Sequence, residues 1–309
     1  MWNFKGLISP KGQLNNKERN KAEAQALAAL SPAFFQILPK TIKTPILIAC
    51  PHAGRQYPQA FLKQTQLSLD ELRLAEDSHV DEIFEPLTES GFPFLKALFP
   101  RCYIDVNRAD TDWPPESVPH ASQHTLSLHA KSGLGVTPTR ITKELNIYTY
   151  PLPAEHIQAR LDALYHPYHN ALKDMIENTK AQFGHAVLLD CHSMPGKHAS
   201  GQSRADIILG DRFGKSCHPN TINILQTLLF DLGYNVVRNI PYAGGFVTTH
   251  YGQPDTGVEA IQIEINKDLY LNPHTFTPHD GMAKICADLQ TAVKELQSRL
   301  LADNKIAAQ

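Results

Sequence analysis

With 309 residues, 42% hydrophobic and 19% charged, the chain can bury a sizeable core and is too apolar for an intrinsically disordered protein. Lys and Arg number 29 against 31 Asp and Glu, a net charge of −2, which excludes the basic excess expected of a nucleic-acid or anionic-membrane binder. No stretch reaches the roughly 18 to 20 apolar residues of a membrane span, and the start MWNFKGLISPKGQLNNKERNK lacks the tripartite order of a secretory signal, so a cytoplasmic protein is expected.

Residues 1–44 predict an N-terminal arm that ends in an Ala-rich helix (KAEAQALAALSP) and decorates the domain; residues 45–309 predict a single α/β domain. Short apolar runs alternate with helical patterns: PILIAC (45–50), an amphipathic helix over 69–90, PFLKALF (93–99) and a strand RCYIDVN (101–107). Residues 110–152, rich in Pro, Ser, His and Gly, show no period, as expected of a binding segment or a mobile one. A helix over 154–184 and a buried strand HAVLLDC (185–191) follow. Then come a polar loop (193–204), strand ADIILG (205–210), helix 220–233, strand YNVVRN (234–239), a glycine turn (242–246), strand AIQIEI (260–265) and a helix over 281–302. The alternation predicts a mixed, largely parallel sheet flanked by helices on both faces. Five widely spaced cysteines with no CxxC argue against a disulfide framework and against a thiolate zinc site.

Fifteen histidines stand out. His52 and His192 each follow a buried run directly, at the strand ends where open α/β sheets place a ligand crevice. Two imidazoles with a carboxylate make a catalytic metal site that lowers the pKa of bound water and polarises a carbonyl. Asp77, in EDSHVDE, is the candidate third ligand. Asp190, two residues before His192, projects to the same face and is placed either to fix the imidazole tautomer or to cap the next loop. On the last strand Ile261, Ile263 and Ile265 share one face, and Gln262, Glu264 and Asn266 the other. That polar face is either a solvated edge or presents Glu264 as a general base.

Arg101, Asn107 and Arg108 suit recognition of a substrate carboxylate, with pairing of Arg101 to Asp105 as the ordinary structural alternative. Arg140 adds a cation from the irregular insert. Gly244 and Gly245, with the following VTTHYG containing Thr249 and His250, read as a substrate loop in which His250 donates to an oxyanion.

In order along the chain, PHAG (51–54), EDSHVD (76–81), YIDVNR (103–108), GLGVTPTRI (133–141), YHPYHNAL (165–172), DCHSMP (190–195), DIILGDRFGKSC (206–217), PYAGGFVTTHYGQP (241–254) and QIEINKDLYL (262–271) resemble the N-formylglutamate amidohydrolase family. The resemblance implies a zinc-carboxypeptidase-like fold and hydrolysis of N-formyl-L-glutamate to formate and glutamate, a step of histidine degradation. It implies that His52, His192 and Asp77 bind the metal, that Glu264 is the general base, and that Arg108 with Asn107 clamps the α-carboxylate. Zinc is the expected ion, although the same donors accept cobalt, nickel or manganese. Two departures qualify it. Arg55 stands three residues after His52, where related carboxypeptidases and aspartoacylases carry Glu, and Thr249 and Gln253 occupy a segment in which family members often carry Arg. The side-chain carboxylate would then fall to Arg101 or Arg140. A small-molecule N-acyl amino acid is the expected partner, with oligomeric state open; a peptidase acting on short peptides and a non-catalytic binder on this scaffold are the alternatives.

Overall fold

Three strands carry the architecture because their sequences leave them nowhere but the interior: ILIAC, AVLLDCHSM and VEAIQIEIN are buried at every position. The computed structural model describes residues 14–118, 126–198 and 200–307, so residues 1–13 of the expected arm lie outside the described residues. In chain order the elements are α1 (Asn16–Ala29), β1 (Phe34–Ile37), β2 (Ile46–Cys50), α2 (Gln59–Leu62), α3 (Leu69–Arg73), α4 (Val80–Phe84), β3 (Phe94–Ala97), α5 (Leu128–Lys131), α6 (Ala154–Arg160), α7 (His166–Phe183), β4 (Ala186–Met194), β5 (Ile207–Gly210), α8 (Pro219–Asp231), β6 (Val236–Arg238), α9 (Phe246–Tyr251), β7 (Val258–Asn266) and α10 (Gly281–Ala307).

The strands form one sheet in the order β1-β3-β2-β4-β7-β5-β6. Four neighbouring pairs are parallel; β1 with β3 and β5 with β7 are antiparallel, which gives the mixed, largely parallel sheet expected. Alternation along each strand divides the core in two. Leu47, Ala49, Leu188 and Ala260 pack with Ala26 of α1, Ile157 of α6 and Leu172 of α7. Ile48, Val187, Leu189, Ile261 and Ile263 pack on the opposite face with Ile83 of α4, Leu225 of α8 and Val293 of α10. Among the described residues no helix is long and apolar enough to cross a membrane.

Two predicted elements are corrected. The helix expected over 69–90 breaks after Arg73 and resumes at Val80, with His79 in the left-handed region (φ 65°). Apolar periodicity continues through the break, but Glu76 and Ser78 bond each other, Tyr57 donates to Glu76, and Asp77 turns inward, so local polar bonds replace the helical ladder. The strand expected at 101–107 is a succession of turns: the Tyr103 amide bonds the Pro100 carbonyl, and the Asp105 carboxylate accepts the Asn107 amide. Asp105 closes that turn on itself, and the alternating face expected of Arg101, Tyr103, Asp105 and Asn107 is lost. The helix over 154–184 is continuous but contains a π-helical turn at 161–165.

The described part of the N-terminal arm is built into the domain. β1 joins the sheet, and Glu23 of α1 holds Arg160 through two hydrogen bonds of 2.7 and 2.9 Å while accepting the Tyr103 hydroxyl at 2.7 Å. Arg160 is fully buried and its guanidinium lies 3.8 Å from the Tyr103 ring centroid. Glu23→Ala would leave that guanidinium in the core without a counter-charge, so urea unfolding should show a loss of about 3–5 kcal/mol. A change within roughly 0.5 kcal/mol, the ordinary range for a surface substitution, would mean that α1 is dispensable.

Candidate active site

The polar residues of β4 and β7 sit on one face, at the end toward which both strands run. Asp190 pairs in register with Gln262 and His192 with Glu264, directly beyond the Leu188–Ala260 pair of the core. β7 lies inside the sheet between β4 and β5, so its polar face is no solvated edge. It floors a crevice of about 560 Å³ whose lining includes His52, Asp77, Arg101, Asn107, Arg108, Arg140, His192, Gly244, Gly245 and Glu264.

His52 arrives from the turn after β2, and the Asp77 backbone N–H donates a hydrogen bond to the His52 carbonyl (3.1 Å). Asp77 Oδ2 lies 3.3 Å from His52 Nδ1 and 2.9 Å from His192 Nδ1, while Ser193 donates to the other carboxylate oxygen. Three buried ligand atoms thus lie within 4.8 Å of one another. Each imidazole is held from behind through Nε2: His52 by Asp105 (2.7 Å) and His192 by Asp190 (3.0 Å). With an ion bound, Nε2–H would donate to these carboxylates and both Nδ1 atoms would turn a lone pair to a common point in place of the protons they share with Asp77. Asp105 is fixed in turn by Arg101 (2.7 Å), and Asp190 by the Thr248 hydroxyl (3.2 Å).

The electrostatics favour a cation there. Burial by itself would lower the pKa of His192, but Asp190 and Asp77 outweigh it and hold the pKa well above the usual histidine value. Burial would likewise raise Asp77, yet hydrogen bonds from His192 and His52 keep its carboxyl well below the ordinary range. Two nitrogens and one carboxylate oxygen, buried, convergent and in negative surroundings, could hold a divalent metal ion. Burial pushes Glu264 beside them up to about 7, with the pull of His192 only partly offsetting it, and Gln262 donates to its Oε1 at 2.8 Å.

Arg55, three residues after His52, points away and pairs with Asp81 and Glu82. Asn107 braces the site: its Oδ1 accepts the Val247 amide (2.8 Å) and its Nδ2 lies 3.2 Å from His192 Nε2. A Cβ on Gly245 would stand 2.4 Å from that Nδ2, so the glycine is needed where the 241–245 strap crosses Asn107. Gly244, at φ +118°, occupies a conformation that L side chains rarely adopt. Arg101 is held by Asp105, Arg108 donates to the carbonyls of Leu134 and Asn107, and Arg140 reaches the crevice with a buried Nε that has no partner among the described residues.

His250 and Thr249 do not come to the crevice. The segment VTTHY is helix α9, and His250 is exposed, stacked on Phe246 at 4.9 Å between ring centroids. Thr249 is exposed and bonds the Gly245 carbonyl; it is Thr248, one position earlier, that faces inward to Asp190. Helical rather than extended geometry exchanges the faces of these neighbours.

Arg212 and Lys267 line the crevice without having been singled out in the sequence. Both follow a strand closely, Arg212 in GDR after β5 and Lys267 immediately after β7, the same cue that marked the two histidines.

A profile of the N-formylglutamate amidohydrolase family matches residues 44–271. N-formylglutamate deformylases of Pseudomonas putida and Pseudomonas aeruginosa are 28% and 27% identical to the chain, each over 84% of its length and over 93% and 94% of theirs. The crystal structure of an N-formylglutamate amidohydrolase from Ralstonia eutropha JMP134 is 32% identical, with a TM-score of 0.80 covering 86% of this chain and 99% of that one.

Proposed function

The chain belongs to the N-formylglutamate amidohydrolase family, and from that premise we propose that it hydrolyses N-formyl-L-glutamate to formate and L-glutamate with a divalent metal, zinc foremost, at His52, Asp77 and His192. The observation that carries this reading is the buried convergence of those three donors beside Glu264, in a crevice walled by cationic side chains. The ion would supply Lewis acidity toward the amide carbonyl and toward water.

The protein's own residues divide the remaining work. Glu264 takes a proton from the attacking water and passes it to the amide nitrogen that leaves as the glutamate amine. An upward-shifted carboxylate suits both halves of that transfer, since it accepts and releases a proton near neutral pH. Arg101, which lines the crevice and is held by Asp105, stabilises the developing oxyanion. Arg108, whose hydrogen bonds among the described residues go to backbone carbonyls, binds the α-carboxylate. With this substrate the reaction falls within histidine degradation.

The test is hydrolysis of a panel of N-formyl and N-acetyl amino acids and dipeptides, with formate and free amine both quantified. Formylglutamate should be the preferred substrate, and a chelator should abolish turnover until a divalent metal is restored. Turnover that survives exhaustive chelation, or that releases amino acids from dipeptides in preference to formate, would defeat the reading.

A further inference from the structure

The crevice holds more positive charge than its own carboxylates neutralise, and one of its cations is aimed by a purpose-built turn. Arg212 lines the crevice, and its Nη1 donates to the Gly244 carbonyl at 3.2 Å. Among the described residues no carboxylate pairs with it, unlike Arg101 with Asp105.

Arg212 and Phe213 both lie in the left-handed region, at φ 55° and 58°. Two such L-residues in succession are unfavourable and persist only where the surroundings over-determine them. Asn239 does so: its Oδ1 accepts the amides of Asp211 (3.1 Å) and Phe213 (3.3 Å), and its Nδ2 donates to Asp211 Oδ1 (2.7 Å). The Arg212 amide bonds the Ala243 carbonyl, which closes the turn onto the 241–245 strap.

From that strap a line of hydrogen bonds runs to the reacting centre. Arg212 holds the Gly244 carbonyl, the next amide, Gly245, donates to Gln262 Oε1 (2.7 Å), and Gln262 Nε2 donates to Glu264. Asn107 abuts Gly245, so the Asn107–Arg108 segment and Arg212 both meet the Gly244–Gly245 backbone. Two guanidinium groups in one crevice, one of them joined to Glu264 by that line of hydrogen bonds, match a small molecule with two carboxylates.

We propose that Arg212 binds the side-chain carboxylate of the substrate and sets the preference for an acidic amino acid, an inference that rests on the deformylase reading above. Arg212 is then a specificity-determining residue and Asn239 a positioning residue acting through it. The assignment fills the place that Thr249 and Gln253 leave open, and it relieves Arg101, which Asp105 already engages.

The quantity to measure is the ratio of kcat/KM for N-formyl-L-glutamate to that for N-formyl-L-glutamine in the metal-loaded full chain. Arg212→Gln should lower the ratio by about 10- to 100-fold, the worth of one hydrogen-bonded charge pair, and Arg212→Lys should fall between. Asn239→Ala should lower it by roughly 3- to 10-fold and add nothing in the Arg212→Gln background, because both changes remove one interaction. A merely structural role for Asn239 would slow both substrates alike and leave the ratio in place. Calorimetric binding of L-glutamate and L-glutamine makes the same comparison without turnover. A wild-type ratio near one, or a ratio that Arg212→Gln leaves untouched, overturns the inference while formylglutamate hydrolysis itself still stands. Loss of glutamate preference in binding by a chain that hydrolyses neither formyl substrate upholds the role of Arg212 and defeats the deformylase reading.

Discussion

Glu264→Gln is expected to reduce kcat by ~10²- to 10⁴-fold with metal content unchanged and KM little altered. The substitution keeps the shape of the side chain and its contact with Gln262, and removes only the capacity to carry a proton. Because Glu264 sits across from His192 in the sheet register, the amide occupies the same place relative to the donors. Loss confined to kcat would separate proton transfer from binding, since an interaction made only in the transition state lowers kcat and kcat/KM equally. Wild-type turnover in this variant would sink the assignment. His250 would not inherit the role, given its position on the outer face of α9.

His192→Ala is expected to abolish stoichiometric metal binding and to lower kcat/KM by about 10³-fold or more, the several kcal/mol a bound Lewis acid supplies at about 1.4 kcal/mol per decade. Removal of the imidazole also leaves Asp77 and Asp190 facing each other without the group that lies 2.9 and 3.0 Å from them. Two buried carboxylates deprived of that partner should raise each other's pKa and weaken the apo protein near neutral pH. The supporting carboxylates predict a graded result: Asp105→Asn and Asp190→Asn should retain metal with affinity reduced by about 10- to 100-fold, measured by competition with a chelator. Full metal occupancy in purified His192→Ala, by elemental analysis, would show that the ion resides elsewhere.

Much of this site is legible in the chain because sheet geometry writes itself into sequence. The runs before His52 and His192 are buried strands, apolar but for Asp190, and the alternation of Ile261, Ile263 and Ile265 with Gln262 and Glu264 announces a polar face that an interior strand must turn to use. Asp77 is legible as a carboxylate in the polar patch EDSHVDE, a patch that the family resemblance also includes. What periodicity could not show are the places where side chains override it. Asp105 ends an apparent strand by capping its own turn and so comes to hold His52, a role with no signature in the pattern. The 76–79 break interrupts an apolar stripe that continues on both sides, because Glu76 bonds Ser78 and Tyr57 and Asp77 turns to His192, partners that the stripe does not encode. The side chains of Thr249 and His250 suit a substrate loop by their chemistry, but one turn of helix sends both outward. Arg212 was hidden for a related reason: its aim depends on Asn239, 27 residues away, and on a backbone conformation that no residue-by-residue propensity favours.

The polar ladder between β4 and β7 has a consequence for how the sheet finds its alignment. The apolar layers on the two faces are chemically similar, so hydrophobicity alone discriminates poorly between neighbouring alignments of these two nine-residue strands. A slip of one residue would carry His192 and Asp190 through the sheet into the layer of Ile261 and Ile263, and would bring Cys191 to the crevice. Ionisable groups stranded among isoleucines are far costlier than misplaced leucines, so the misaligned sheet is penalised at the positions that serve chemistry. The reactive residues thereby act as an alignment key for folding. Replacing them with apolar residues, a change that often stabilises an enzyme at the expense of activity, should here also relax the choice among alignments and leave a more stable but less uniquely folded chain.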